Sequence, residues 1–110
     1  THHVIGARAL ATLPAGAFLV NTARGGLIDE AALIAALDSG HIAGAGLDVT
    51  SPEPPLADNP LRRHPKVVLT PHMAGVTEGS MAQMAIDAAE CVVARLTGRP
   101  VPPERIVVPG

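Results

Sequence analysis

A chain of 110 residues that is 47% hydrophobic can close a packed core and is too apolar for a disordered segment. A net charge of -2, no run of Lys or Arg, and an aromatic content of 1% exclude a nucleic-acid face, which needs clustered cations and stacking rings. The apolar runs are broken well short of the roughly 18 residues of a membrane helix, and the single cysteine, Cys91, cannot form an intramolecular disulfide, so a soluble cytoplasmic protein is expected.

Phe18 is the only aromatic residue, so the core is expected to be Ala, Val, Leu and Ile, with Met73, Met81 and Met84 as fillers. Residues 6–13 read as a short helix ended by Pro14, and Pro14-Ala15-Gly16 as a turn. The apolar run 17–21 predicts a strand buried on both faces. Residues 22–26 form a loop. Asp29 is placed to cap a helix from Glu30 to about Ser39, with Leu33, Ile34 and Leu37 inward and Gly40 as its stop. A thin, Gly-rich strand follows over 42–49, then a Pro-rich loop over 50–66, a third buried strand over 67–69 and a loop over 70–76. Thr77 caps a long helix to about Leu96, with Met81, Met84, Ala85, Ala88 and Val92 as its apolar face and Gln83, Asp87 and Glu90 as its polar stripe. Within it Cys91 reads as a buried, inert thiol. Residues 99–110 form a Pro-rich tail.

Buried strands alternating with crossovers point to a parallel α/β sheet. Three strands make a thin sheet with open edges, so the chain reads as part of something larger. Each strand is followed by a loop bearing one reactive polar group: Arg24, Glu53 and His72. Open parallel sheets build their sites at the carboxyl ends of the strands. Arg presents a planar fork that matches a carboxylate and can polarise an adjacent carbonyl. His passes protons near neutral pH, and a carboxylate beside it stabilises its protonated form. Such a set suits protonation of a 2-keto acid as hydride arrives.

The segment Asn21-Thr22-Ala23-Arg24-Gly25-Gly26-Leu27-Ile28-Asp29 resembles the Arg-Gly segment of D-isomer-specific 2-hydroxyacid dehydrogenases. Gly46-Leu47-Asp48-Val49 with Pro52-Glu53-Pro54 resembles their catalytic-Glu segment, and Leu69-Thr70-Pro71-His72-Met73-Ala74-Gly75 their catalytic-His segment. The likeness is strongest to the phosphoglycerate dehydrogenase and hydroxypyruvate or glyoxylate reductase branch. It implies the second half of a Rossmann-like three-layer αβα domain, with residues 1–97 completing an NAD-binding domain through its long last helix. Residues 98–110 would be a tail returning to a substrate domain. It further implies Arg24, Glu53 and His72 as catalytic residues. The nicotinamide end of NAD, or of NADP, would be lined by Thr22, Ala23, Arg24, Asp48, His72, Ala74 and Gly75. For Asp48 the alternative is a strand-end cap. The implied substrate is a small 2-keto or 2-hydroxy acid, and the full-length protein is expected to be a homodimer.

The family's Gly-x-Gly-x-x-Gly phosphate loop and its acidic ribose partner are not in this sequence. Gly44-Ala45-Gly46 is a decoy, since Val49 occupies the third glycine position and no helix opens there. The chain by itself is therefore expected to be inactive. His2, His3, His41 and His64 lack metal-ligand spacing, and His72 and Glu53 add no compact set, so no metal is expected. The resemblance extends to C-terminal-binding corepressors, which leaves an NAD-sensing interaction protein as the alternative function.

Overall fold

The computed structural model describes residues 1–107. The chain divides into two compact units, Thr1–Ala74 and Gly75–Gly110; the last three residues of the expected tail lie outside the described residues.

In the first unit, helix α1 (Ala7–Thr12) precedes strand β1 (Ala17–Asn21), helix α2 (Glu30–Asp38), strand β2 (Ile42–Leu47) and strand β3 (Val67–Leu69). Among the described residues the strands form one parallel sheet in the order β1-β2-β3. Helix α2 has nine residues, shorter than the about 12–15 at which an isolated helix holds in water, so packing must hold it. Leu33 and Leu37 are fully buried on its inner side, each contributing roughly 2 kcal/mol of transfer energy. Its start is fixed by Asp29, whose side chain accepts from Ala32 N at 3.1 Å. Its end is fixed by Gly40, whose φ of 77° few other residues adopt.

The core joins Leu10 of α1, Leu33 and Leu37 of α2, Ile42, Ala45 and Leu47 of β2, and Leu61. All of it lies on one side of the sheet. The expectation of strands buried on both faces is corrected: Phe18, Val20 and Val68 are 76%, 71% and 67% exposed. They share the other side, with Phe18 beside Gly44 and Val20 in one row with Gly46 and Val68. A Cβ on Gly44 would meet the Phe18 ring at 3.0 Å. Gly44 thus makes room for the Phe18 ring, whereas a Cβ on Gly46 would meet Val20 only in ordinary contact at 3.8 Å, so the first glycine of the decoy serves packing. Met73, Met81 and Met84 are each at least half exposed and fill no core. His41 is half-buried and bonds to Leu10 O at 3.1 Å.

The β2–β3 crossover has no α-helix and is tied to α2 instead. Leu61, in a short 3-10 turn over Pro60–Arg62, is 1% exposed and plugs the core. Glu30 accepts from Ser51 N at 2.8 Å and from Asn59 Nδ2 at 2.9 Å. At the other end of the helix Lys66 Nζ donates to Leu37 O at 2.6 Å.

In the second unit, helix α3 (Glu78–Leu96) starts with a capping box in which Thr77 and Ser80 satisfy each other's backbone N–H groups. Gly98, with φ of 72°, ends it. The tail then turns back along α3. Arg105 reaches Asp87 Oδ1 at 2.8 Å and Glu90 Oε2 at 2.9 Å. The expected apolar face of α3 is therefore corrected: Met81, Met84 and Val92 are 50%, 56% and 58% exposed, while Ala94 is buried. Cys91, expected to be buried, is half-buried.

Candidate active site

The three strands end side by side, and a polar residue stands at or just past each end. Asn21 ends β1, Asp48 follows β2 and Thr70 follows β3. Asn21 O accepts from Asp48 N at 2.9 Å, and Asp48 O accepts from His72 N at 2.9 Å. A hydrogen-bonded line thus crosses the carboxyl edge of the sheet, and the loops carrying Arg24, Glu53 and His72 leave from it.

Asp48 is 4% exposed, and its carboxylate is turned onto the loop after β3. Oδ1 accepts from Thr70 Oγ1 at 2.5 Å and Met73 N at 2.9 Å, and Oδ2 accepts from Ala74 N at 2.8 Å. The Thr70 hydroxyl and then the Ala74 N–H hold this carboxyl below the ordinary carboxylate range; burial opposes them, and the Met73 N–H and nearby His72 add to the lowering. Asp48 thus grips both flanks of His72. That grip accompanies an uncommon backbone, because His72 sits at φ 53° in the left-handed region. A non-glycine residue there costs about 1 kcal/mol or more and persists only where its surroundings over-determine it.

His72 Nδ1 lies 2.5 Å from Glu53 Oε1. An ionised carboxylate only accepts, so Nδ1 carries the proton, and Nε2 has no hydrogen-bond partner among the described residues. The His72 and Glu53 side chains are 46% and 37% exposed, so the pair is reachable from solvent. Below them, Thr50, Pro54, Pro55 and Leu69 help line a hollow of about 290 Å³.

Arg24 occupies the neighbouring loop and is exposed, its Nη1 donating to Ala23 O at 2.6 Å. The loop is pressed against the one that carries Glu53. A Cβ on Gly25 would lie 2.0 Å from Thr50 O and 2.7 Å from Ser51 N, so only glycine fits. Thr22 and Ala23 are exposed beside Arg24. Gly75 belongs to the second unit, and a Cβ there would meet nothing within 4 Å.

The geometry therefore pairs Glu53 with His72, ties the His72 loop to Asp48 and seats the Arg24 loop on Thr50–Ser51. Sequence reasoning passed over Asn21, Gly25, Glu30 and Thr70 as individual residues. An Asn closing a strand before a loop carries a recognisable turn signal. The partners of Gly25 and Glu30, the Thr50–Ser51 backbone and the Asn59 side chain, lie far along the chain, where no local pattern reveals them.

The family model described as the NAD binding domain of D-isomer specific 2-hydroxyacid dehydrogenase matches residues 1–74. The chain is 44% identical over 101 residues to a D-3-phosphoglycerate dehydrogenase of Bacillus subtilis, a match covering 92% of this chain and 19% of that protein. It is 44% identical over 98 residues to glyoxylate/hydroxypyruvate reductase B of Yersinia enterocolitica, covering 89% of this chain and 30% of the relative. A crystal structure of a D-isomer specific 2-hydroxyacid dehydrogenase from Xanthobacter autotrophicus, in complex with NADPH and MES, superposes with a TM-score of 0.75 at 44% identity, covering 92% of this chain and 41% of that one. The chain thus spans 19% and 30% of the lengths of these two curated relatives.

Proposed function

The chain belongs to the D-isomer specific 2-hydroxyacid dehydrogenases, as part of their NAD-binding domain, and from that membership we propose that it serves an NAD(H)-linked interconversion of a 2-keto acid and a D-2-hydroxy acid. The observation that carries this reading is the Glu53–His72 contact at the carboxyl edge of a parallel sheet. Arg24 binds the substrate carboxylate and polarises the neighbouring carbonyl. His72 Nε2 gives its proton to the carbonyl oxygen in reduction and takes it back in oxidation. Glu53 holds the imidazole through Nδ1 and balances its positive charge, fixing which nitrogen faces the substrate.

The residues present fit the nicotinamide end of a dinucleotide. A carboxylate offers about four lone-pair positions, and three on Asp48 are taken, so Oδ2 keeps one acceptor for the amide N–H of a carboxamide. On the loop after β1, exposed Thr22 and the second lone pair of Ala23 O offer further polar groups, Ala23 N–H being taken by Asn21 Oδ1. The cofactor, when bound, supplies or accepts the hydride. NADP is an equal candidate on these residues, since none of them reads the adenosine ribose.

The domain assignment follows the same line. Residues 1–97 complete the NAD-binding domain and 98–110 lead to a substrate domain elsewhere in a longer, cytoplasmic, homodimeric enzyme; the chain by itself turns over no substrate. Among the described residues no helix is long and apolar enough to cross a membrane. The test is reduction of glyoxylate and hydroxypyruvate by the full-length protein with NADH and NADPH, with the chirality of the glycerate determined. D-Glycerate is expected. L-Glycerate, or no oxidation of either coenzyme, would overturn the proposal.

A further inference from the structure

We propose that Asn21 is a positioning residue for Arg24, setting the direction in which the arginine leaves the end of β1. This rests on the reading of Arg24 as the substrate-binding arginine. Asn21 is only 7% exposed, and its carboxamide is used at both ends. Oδ1 accepts from Ala23 N at 3.0 Å, and Nδ2 donates to Arg24 O at 2.9 Å. The two bonds close a ring over Thr22–Arg24, so the loop turns on the Asn21 side chain. The backbone of Asn21 is itself held, because its carbonyl accepts from Asp48 N at 2.9 Å.

The far end of the loop is fixed separately by Gly25, seated against Thr50–Ser51. The backbone of Arg24 is thus held on both sides, by the Asn21 side chain before it and by the seat of Gly25 after it. Its guanidinium makes one hydrogen bond among the described residues, to Ala23 O, which leaves most of its donors for a ligand. The direction of the side chain is therefore set by the loop backbone. The clamp needs a carboxamide, because only that group carries an acceptor and a donor on one short planar head. Asp at position 21 would keep the bond from Ala23 N and lose the one to Arg24 O. Fork-to-fork pairing of a guanidinium with a carboxylate requires alignment as well as proximity, and a misplacement of about 1 Å can cost on the order of 100-fold in rate.

The test is a double-mutant cycle in the full-length dehydrogenase, reading kcat and KM for the 2-keto acid, NADH affinity by fluorescence, and thermal stability. Asn21→Ala and Asn21→Asp are each expected to lower kcat/KM by about 10- to 100-fold, mostly through KM. NADH affinity should stay within about twofold, and adding Asn21→Ala to Arg24→Ala should cost no more than about threefold further. Equal losses in the two backgrounds, or an Asn21→Asp enzyme with wild-type kcat/KM, would overturn the positioning role. Should Asn21→Ala fail to fold, the near-isosteric Asn21→Asp carries the cycle alone. Arg24→Ala at wild-type efficiency is a different result: it would remove the reading of Arg24, and the role of Asn21 with it.

Discussion

Gly25 meets the strictest steric demand seen at any described glycine, and the site depends on it. A methyl group there would have to displace the Thr50–Ser51 backbone, which Glu30 also holds. Gly25→Ala is expected to destabilise the chain by roughly 1–3 kcal/mol or more, checked by urea denaturation. Asp48 makes a prediction about pH. Its folded-state pKa is depressed, chiefly by the Thr70 hydroxyl, below the ordinary value of 3.8. The ionised carboxylate therefore stabilises the fold fully above that value, and the contribution is lost as pH falls through the lower folded pKa. Asp48→Asn should accordingly be less stable than the wild type at neutral pH. The gap between the two proteins should narrow once pH falls below about 4; a gap of constant size from neutral to acid pH would contradict the ionised clamp.

At the level of elements, the sequence was legible where one residue type answers one geometric need. Asp29, the Leu33/Leu37 pair and Gly40 define α2 to within a residue, and the run at 67–69 is the third strand. The ends of β1 and β3 were legible for the same reason, whereas β2 stops at Leu47, two residues short of the expected Val49, because Asp48 turns onto the loop after β3; Arg24, Glu53 and His72 still fall on the loops that follow the strands. Faces were not legible. Apolar runs signal strands, but they do not show which layers a given stretch of chain supplies, so Phe18, Val20 and Val68 read as core. In α3, small and apolar residues lie nearly all round the helix, so the face read from periodicity, with Met81, Met84 and Val92, is not the buried one. The tail bears on it: Arg105, beyond reach of any helical pattern, bridges Asp87 and Glu90, and Pro100 and Pro102 line a hollow together with Ile86 and Val93. Arg105→Ala should release the tail, seen as faster hydrogen exchange at the Arg99 and Ile106 amides with α3 unchanged. Unaltered exchange would show that the prolines alone hold it.

On the scale of the whole molecule, one face of the sheet carries three large apolar side chains that are at least two-thirds exposed within this chain. Contiguous apolar surface of this kind binds other apolar surface. The isolated chain should therefore bind a hydrophobic dye, and Phe18→Ser with Val68→Thr should weaken that binding. The site shows a similar division of labour. His72, its carboxylate partner Glu53 and Arg24 stand on loops at one sheet edge, while a dinucleotide's pyrophosphate would need a Gly-rich turn that these residues do not supply. The central claim is that His72, held by Glu53 and Asp48, moves the proton. Its most direct test is His72→Ala in the full-length enzyme, with turnover of the 2-keto acid and NADH binding measured on the same preparation. Turnover should fall by about 100- to 10,000-fold with NADH affinity preserved; turnover near wild type would contradict the account.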